Sequence, residues 1–457
     1  MKTGTNRNIY AFGLGTVGRD MVYAMVTMYL IFFLTDILGV SSAVLWWING
    51  IILLARIFDA LNDPVMGVIV DNTKTKYGKF KPWIAFGAFA SGIITVLLFT
   101  DFGLTGPAFI AVFGILYVLW GVTYTINDIP YWSMLPALSM DQKEREKIGS
   151  FAKICANVGL FTVVAGIVPF TAMLGSRLGS MVNAYTVFTV IIVGIMWLGQ
   201  AITLLGVREQ REAFKQEEVT TLRGMLRAIV DNDQLLYTAI SMSLFMIGYV
   251  TTTSFGLYFF KYAYGDEGMY SIFAVILGIS QIGALAVFPL FSKRFSRHSL
   301  YTAATALVVA GYLIFFFSPM NMIFIGAAGI LMFLGQAFIQ ILMLMFLADT
   351  VEYGQWKLGK RNESVTFSLQ PFINKIGGAI ASGIVGATVI ISGINDAATP
   401  ADVTAQGLWI MKFAMMILPL IFILAGYLVY RYKYKIDHAF FKQILKELQA
   451  RGDLKLD

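Results

Sequence analysis

The stretch "VLWWINGIILLARIFDALNDPVMGVIV", residues 44–70, decides the fold. A helix needs about 20 mostly apolar residues to cross the hydrocarbon core of a bilayer, and this stretch is long enough. It nevertheless carries Arg56, Asp59 and Asp63. Ionised side chains within a span are costly, and by default they indicate a functional site. The stretch therefore predicts a membrane helix with a polar site inside it.

The composition of the whole chain agrees with a membrane protein. Of its 457 residues, 58% are hydrophobic and 13% are charged, and the mean hydropathy is +0.72. Soluble domains are about 45–50% apolar and about 25% charged. The single cysteine, Cys155, lies in an apolar stretch, and the two histidines lie in basic ones. These residues exclude a disulfide framework, a Cys/His metal cluster and a Ser/His triad, so we expect neither an enzyme nor a cofactor.

Apolar windows of spanning length occur twelve times, which predicts an all-α protein with twelve transmembrane helices. The predicted spans are 10–37, 44–70, 82–100, 107–136, 148–174, 181–206, 235–263, 268–292, 299–318, 321–348, 364–393 and 406–430.

The polar connections between these spans alternate between two kinds. One kind is rich in Lys and Arg, as in "DNTKTKYGKFK" and "SKRFSRHS", and the other is nearly free of them, as in "LGVSSA" and "DFGLTG". The positive-inside rule places the basic connections and both termini in the cytoplasm. The net charge of +7 is thus explained by the basic cytoplasmic connections. We expect the protein to lie in the cytoplasmic membrane and to have no nucleic-acid partner.

The longest internal connection divides six spans from six. We predict an N-terminal bundle at 1–206, a cytoplasmic loop with a surface helix at 207–234, a C-terminal bundle at 235–430 and a cytoplasmic tail at 431–457. Two six-helix halves favour a transporter of repeated halves, with its site near the midplane between them. We expect it to function as a monomer.

The second predicted span offers a cation site. Asp59 and Asp63 are four residues apart and so share one helix face. Two adjacent carboxylates repel each other unless a proton or a cation lies between them. Asn62 adds a neutral oxygen, and hard cations prefer oxygen ligands. Arg56 is one turn before Asp59 and would hold that carboxylate in place when the cation is absent, which is a coupling role. The alternative is a salt bridge that only fixes packing.

The fourth predicted span offers a sugar site. Trp132 follows Asp128 by one turn, so a carboxylate and an indole share a face. The carboxylate would accept hydrogen bonds from two hydroxyls while the indole packs on the ring, although an interfacial belt also explains Trp132. Asp20 adds an acceptor, and Arg19 and Lys153 add donors. Lys375, in the eleventh span, would couple the two sites or else reach to the interface.

Three segments carry a family resemblance: "RIFDALNDPVMGVIVDNTKTKYGKFKPW", "YTINDIPYWSMLPALSMDQKEREK" and "ADTVEYGQWKLGKRNES". They resemble the glycoside–pentoside–hexuronide:cation symporters of the major facilitator superfamily, the family of melibiose permease and the lactose transport protein. The resemblance covers nearly the whole chain. It implies twelve helices in two six-helix halves and symport of a sugar with Na⁺, H⁺ or Li⁺.

The resemblance also implies residue roles. The family's cation site falls on Asp59, Asn62, Asp63 and Thr125. Its sugar-binding acids fall on Asp20 and Asp128, its stacking tryptophan falls on Trp132, and Tyr124 neighbours them. Its eleventh-helix lysine falls on Lys375, with Gln370 close by.

The chain differs from melibiose permease around the sugar. Arg19 replaces a lysine, Lys153 replaces an arginine, and Gln340 replaces a tryptophan. These differences leave the choice of sugar open, and the sequence does not choose between Na⁺ and H⁺. We also expect no phosphotransferase-like domain of the kind that the lactose transport protein carries. The alternative functions are a transporter of another substrate, such as a lysolipid, and a membrane sugar sensor.

Overall fold

The computed structural model describes residues 2–208, 229–266, 268–394 and 400–454. Most of the predicted central loop, residues 209–228, lies outside the described residues, and with it most of the predicted surface helix. Residues 455–457 of the predicted tail also lie outside them. Throughout the described ranges the regular secondary structure is helical, as the hydropathy pattern predicts.

The first half of the chain forms six long helices. The first, α1, runs from Lys2 to Ala24 and continues through short π-helical and α-helical turns to Ile37. The next five have uninterrupted bounds: α2 is Ser42–Asp71, α3 is Lys81–Leu98, α4 is Gly106–Ser133, α5 is Gln142–Leu178 and α6 is Met181–Gly206.

The second half forms six long helices and a short terminal one. Their bounds are Asp233–Tyr264 for α7, Met269–Arg294 for α8, Arg297–Phe317 for α9, Met322–Leu358 for α10, Glu363–Ile391 for α11, Ala405–Lys433 for α12 and His438–Ala450 for α13. Among the described residues, eleven helices are long and apolar enough to cross a membrane. These are α2–α12, and together with α1 they account for the twelve predicted helices.

The helices form two compact units. One contains α1–α6 and the first turn of α11, and the other contains α7–α10, the rest of α11, α12 and α13. Within the first unit α4 packs against α2 and α3, and α1 packs against α6. Within the second unit the same pairs recur six helices later, since α10 packs against α8 and α9, and α7 packs against α12. The repeated pairing fits a chain built from two related halves.

Close helix contact positions the polar residues of α1. A Cβ atom at Gly18 would overlap the backbone of Met196 in α6, so only glycine allows this approach. The neighbouring residue, Arg19, is thereby held in the interior of the first unit, where its side chain is 2% exposed.

Candidate functional site

An acid–base cluster joins α1 to α4 inside the first unit. Arg19 Nη1 lies 2.9 Å from Asp128 Oδ1, and Arg19 Nη2 lies 3.2 Å from Asp20 Oδ2. One guanidinium therefore pairs with two carboxylates, which its planar fork of donors allows and a lysine would not reproduce.

Burial separates the roles of these three side chains. Arg19 is 2% exposed, whereas Asp20 and Asp128 are 23% and 21% exposed. Only the carboxylates are open to a ligand from outside the cluster. Arg19 is thus placed to hold the two acids in position, and the acids are placed to accept hydrogen bonds.

Trp132 packs against the two cations of the cluster. Lys153 Nζ lies 4.5 Å from the centroid of its ring, and Arg19 Cζ lies 5.1 Å from it. Arg19 Cζ also lies 4.7 Å from the ring of Tyr131, a residue that sequence reasoning missed. These cation–π contacts hold both cations beside the acids. The structure therefore brings Arg19, Lys153 and Trp132 together with Asp20 and Asp128.

Aromatic rings lie beside this cluster. The centroid of the Tyr124 ring is 5.4 Å from that of Tyr23 and 5.4 Å from that of Trp120. Tyr23 is three residues after Asp20 and Tyr124 is four before Asp128, so both face the same way as the acids. Tyr23 was not predicted, although its spacing from Asp20 was the available signal.

The two acids of α2 face α4. Asp63, which is 1% exposed, accepts a hydrogen bond of 3.1 Å from Thr125 Oγ1. One turn earlier, a Cβ atom at Gly121 would lie 2.5 Å from Asp59 Oδ1. Gly121 and Thr125 are spaced four apart on α4, as Asp59 and Asp63 are on α2. The structure thus places three of the four predicted cation ligands along one line of contact between two helices.

The remaining predicted residues of α2 lie beside this line. Asn62 is half-buried on α2, next to Asp63 in sequence. Arg56 is exposed and lies against Tyr117 of α4.

Three predicted site residues belong to the second unit. Gln340 on α10 and Gln370 and Lys375 on α11 are all half-buried. The roles of these three residues in sugar binding and in coupling stay predictions.

A further polar contact in the first unit was missed. Asp71, the last residue of α2, accepts hydrogen bonds of 3.0 Å from the backbone N–H groups of Ser364 and Val365 in the first turn of α11. Lys79 Nζ lies 3.3 Å from Asp71 Oδ1 and 2.9 Å from Glu363 Oε2. An anion at a helix N-terminus satisfies otherwise unpaired donors. The signal was present, since Asp71 and Lys79 fall in the first segment quoted for the resemblance.

Comparison with protein families decides the class. The sequence model of the family described as MFS/sugar transport protein matches residues 11–438. The chain belongs to this family. The family prediction made from the three sequence segments is thereby confirmed, and the chain is a multi-pass membrane protein of the MFS type.

Curated relatives of this MFS chain match over almost its whole length. The lactose permease of Lactobacillus delbrueckii subsp. bulgaricus is 30% identical over 453 residues, which cover 96% of this chain and 72% of the permease. The raffinose carrier protein of Pediococcus pentosaceus is 31% identical over 460 residues, which cover 98% of this chain and 72% of the carrier.

Solved structures share the MFS fold at low identity. The Escherichia coli fucose:proton symporter aligns with a TM-score of 0.69 and 13% identity, covering 94% of this chain and 98% of that one. A proton:xylose symporter aligns with a TM-score of 0.63 and 13% identity, covering 93% and 96%. At this identity the likeness supports the fold alone, and the predicted twelve-helix fold is confirmed.

Proposed function

We propose that this protein imports a glycoside or oligosaccharide together with a cation, Na⁺ or H⁺, by alternating access. The proposal rests above all on two acidic groups in the first unit. Asp20 and Asp128 form a pair of part-exposed carboxylates fixed by one buried arginine, and Asp59 and Asp63 line a contact between α2 and α4.

The first group suits a sugar. A fixed carboxylate accepts charge-assisted hydrogen bonds from hydroxyls, which are stronger than those between neutral groups. Trp132 and Tyr124 add apolar surface next to these acceptors. The related lactose and raffinose carriers support a glycoside as the transported ligand.

The second group suits a cation. Asp63 is almost fully buried and its neighbour Asp59 is half-buried, so a second negative charge is costly until a proton or Na⁺ neutralises it. The hydroxyl oxygen of Thr125 and the amide oxygen of Asn62 complete an all-oxygen set, which Na⁺ prefers.

One uptake panel tests this function. The purified protein is placed in liposomes and given radiolabelled β-galactosides, α-galactosides, xylosides and glucuronides, with and without a Na⁺ gradient, at two pH values. We expect at least one glycoside to accumulate only when a cation gradient is imposed. Uptake of no glycoside, together with uptake of a labelled lysolipid, would favour a lipid transporter, and glycoside binding without uptake would favour a sensor. Recovery of the protein in the same liposomes measures its insertion into a membrane. Light scattering in detergent measures its mass and tests whether it is a monomer, as we propose.

A further inference from the structure

A polar seam joins α9 to α12 within the second unit. The hydroxyl of Tyr430 on α12 lies 2.8 Å from Nδ1 of His298 on α9. One turn further along α9, the hydroxyls of Thr302 and Tyr427 lie 2.9 Å apart. His298 is half-buried and Thr302 is exposed, so the polar seam of these four residues opens to the surroundings of the unit. It lies where α12 ends in a basic turn, and the positive-inside rule assigns such an end to the cytoplasm.

The polar seam presents a donor that the protein does not use. The hydroxyl of Tyr430 has no acceptor other than His298 among the described residues, so it donates to Nδ1 and the ring hydrogen lies on Nε2. Nε2 itself makes no hydrogen bond to the part of the chain that the structure describes. The rings of Tyr430 and Tyr434, with centroids 5.2 Å and 6.3 Å from that of His298, fix the position of this donor.

Arg431, in the last turn of α12, differs from two neighbouring cations. Arg297 pairs with Asp349, and Lys433 Nζ lies 5.8 Å from the centroid of the Tyr237 ring. The side chain of Arg431 is exposed and forms no hydrogen bond or ion pair with the residues that the structure describes. Its charge nevertheless acts on the polar seam. A cation and an unused N–H donor therefore lie close together.

One carboxylate also acts on the polar seam, but it is already engaged. The charge of Asp437 reaches His298. Its Oδ1 accepts a hydrogen bond of 2.8 Å from the backbone N–H of Phe440, and Asp437 thereby caps α13. A carboxylate at a helix N-terminus is stabilised there by the helix dipole. Asp437 therefore leaves Arg431 available to an anion from outside the protein.

An apolar face continues along α9 from the polar seam. Its exposed residues recur at the three- and four-residue spacing of one helix face and are Ala303, Ala306, Leu307, Leu313, Ile314 and Phe317. On α12, Ile421 and Leu428 are exposed as well. Because the bilayer core is apolar, such a face on a spanning helix contacts acyl chains. Tyr432 is 76% exposed, and tyrosines of this kind mark the level of the lipid headgroups, which places its neighbour Arg431 at that level.

We propose that Arg431 and the polar seam bind the headgroup of an anionic phospholipid of the cytoplasmic leaflet. A guanidinium can form two parallel hydrogen bonds to a phosphate, and His298 Nε2 adds a third donor. The acyl chains then lie along the exposed face of α9. A soluble phosphate would use the donors and leave that face uncovered, whereas a phospholipid uses both. The proposal concerns the outer surface of the second unit and does not depend on which ligand is transported.

The test compares an anionic with a zwitterionic lipid. The purified protein in detergent is titrated with phosphatidylglycerol or with phosphatidylcholine of the same acyl chains, and native mass spectrometry gives the dissociation constant of the first bound lipid. We expect the wild-type protein to prefer phosphatidylglycerol by about fivefold or more. Arg431→Gln should weaken the binding of phosphatidylglycerol about five- to tenfold and leave that of phosphatidylcholine unchanged.

A second variant tests the donor of the polar seam. His298→Asn keeps an acceptor for the Tyr430 hydroxyl and removes Nε2, so phosphatidylglycerol should bind about threefold more weakly. Both variants should keep the melting temperature of the wild-type protein in lipid-free detergent, because neither leaves a buried group without its partner. A loss of lipid binding without a loss of stability separates a ligand contact from a structural one.

Arg177→Gln is the matched control, because it removes an exposed arginine from the end of α5 in the first unit. It should leave both dissociation constants unchanged. The proposal is overturned if the wild-type protein binds both lipids equally, if Arg431→Gln keeps the preference, or if Arg177→Gln loses it to the same extent. It is also overturned if glycerol 3-phosphate displaces the lipid at similar concentrations, which would make a soluble phosphate the ligand. Dimers that form in place of the lipid complex would show that a second copy of the chain covers this face.

Discussion

Two helix contacts, one in each unit, place polar groups inside the membrane in different ways. In the first unit the cluster around Arg19 is ionised, and each charge has an opposite partner within 3.2 Å or an aromatic ring beside it. In the second unit α8 and α7 are joined by a neutral contact, in which Gln281 Nε2 donates to the Tyr249 hydroxyl at 3.1 Å. Neutral bonds contribute about 0.5–1.5 kcal/mol each, whereas stranding a buried charge costs about 3–5 kcal/mol. The ionised cluster around Arg19 is therefore expected to be far more sensitive to substitution than the neutral contact between Gln281 and Tyr249.

The largest effect is expected at Arg19. Arg19→Ala removes the cation that pairs with both Asp20 and Asp128 and leaves Lys153 as the cation beside them, at a cost of about 3–5 kcal/mol. Thermal unfolding in detergent should show this loss, and sugar binding should fall by about a hundredfold or more. Arg19→Lys keeps the charge but not the planar fork, so its loss should be clearly smaller. If Arg19→Ala were as stable as the wild-type protein and bound sugar as tightly, the ion pairs of Arg19 would not be what holds the two acids in position.

The next effect separates coupling from transport. In Asp63→Cys, cation-driven accumulation of sugar should disappear while sugar exchange across the membrane continues, because the sugar-binding acids are intact. Thr125→Val removes only the hydroxyl that donates to Asp63. The cation should therefore bind about tenfold more weakly, and uptake should need a correspondingly higher cation concentration. Uphill transport that is unchanged in Asp63→Cys would contradict the assignment of the cation site. Liposome uptake with and without a gradient distinguishes these results.

A smaller effect is expected where α2 meets the first turn of α11. Asp71→Ala leaves two backbone N–H groups of that turn without their acceptor, which should lower the free energy of unfolding by about 1–2 kcal/mol. Asp71→Asn keeps an oxygen that accepts one of these hydrogen bonds and leaves Lys79 paired with Glu363, so it should cost less. Equal losses in both variants would show that the ion pair, and not the capping of α11, holds this contact. Thermal unfolding of the two variants side by side measures the difference.

The smallest effect is expected at an exposed carboxylate of the second unit. Glu447 on α13 accepts hydrogen bonds from Trp356 Nε1 at 2.6 Å and Gln443 Nε2 at 2.9 Å, and these lower its pKa. Because the pKa of Glu447 is lower in the folded protein than its ordinary value, the ionised carboxylate stabilises the docked helix at pH values above the ordinary glutamate pKa. This stabilisation is lost as the pH falls through the pKa of Glu447 in the folded protein. Proteolysis of α13 should therefore accelerate on acidification, and less so in Glu447→Gln. An equal pH response in both proteins would contradict this role.

The sequence predicted the helices well because spanning requires a fixed length of apolar residues. The predicted third span, 82–100, corresponds to Lys81–Leu98. The ends were less predictable where helices continue beyond the apolar core. The predicted span 148–174 is part of Gln142–Leu178, whose polar first turn is capped by Asp141, which accepts from the N–H of Glu144 at 2.9 Å. Hydropathy falls where charges begin, whereas backbone hydrogen bonding continues.

The candidate site could be predicted only within single helices. The spacing of Asp59 and Asp63 placed them on one face, as the structure finds, because that relation is set by helix geometry. The pairing of Arg19 with Asp128 depends instead on how α1 and α4 pack, which no local pattern contains. The same holds for Gly121 beside Asp59 and for Tyr249 beside Gln281.

The most direct test of the central claim measures the coupling between sugar and cation at equilibrium. Sugar affinity of the purified protein is measured over a range of Na⁺ and H⁺ concentrations, and cation affinity over a range of sugar concentrations. We expect that one cation raises sugar affinity, that the sugar raises the affinity for that cation by the same factor, and that both effects vanish in Asp63→Asn. Sugar affinity that is independent of both cations in the wild-type protein, or coupling that persists in Asp63→Asn, would contradict this expectation.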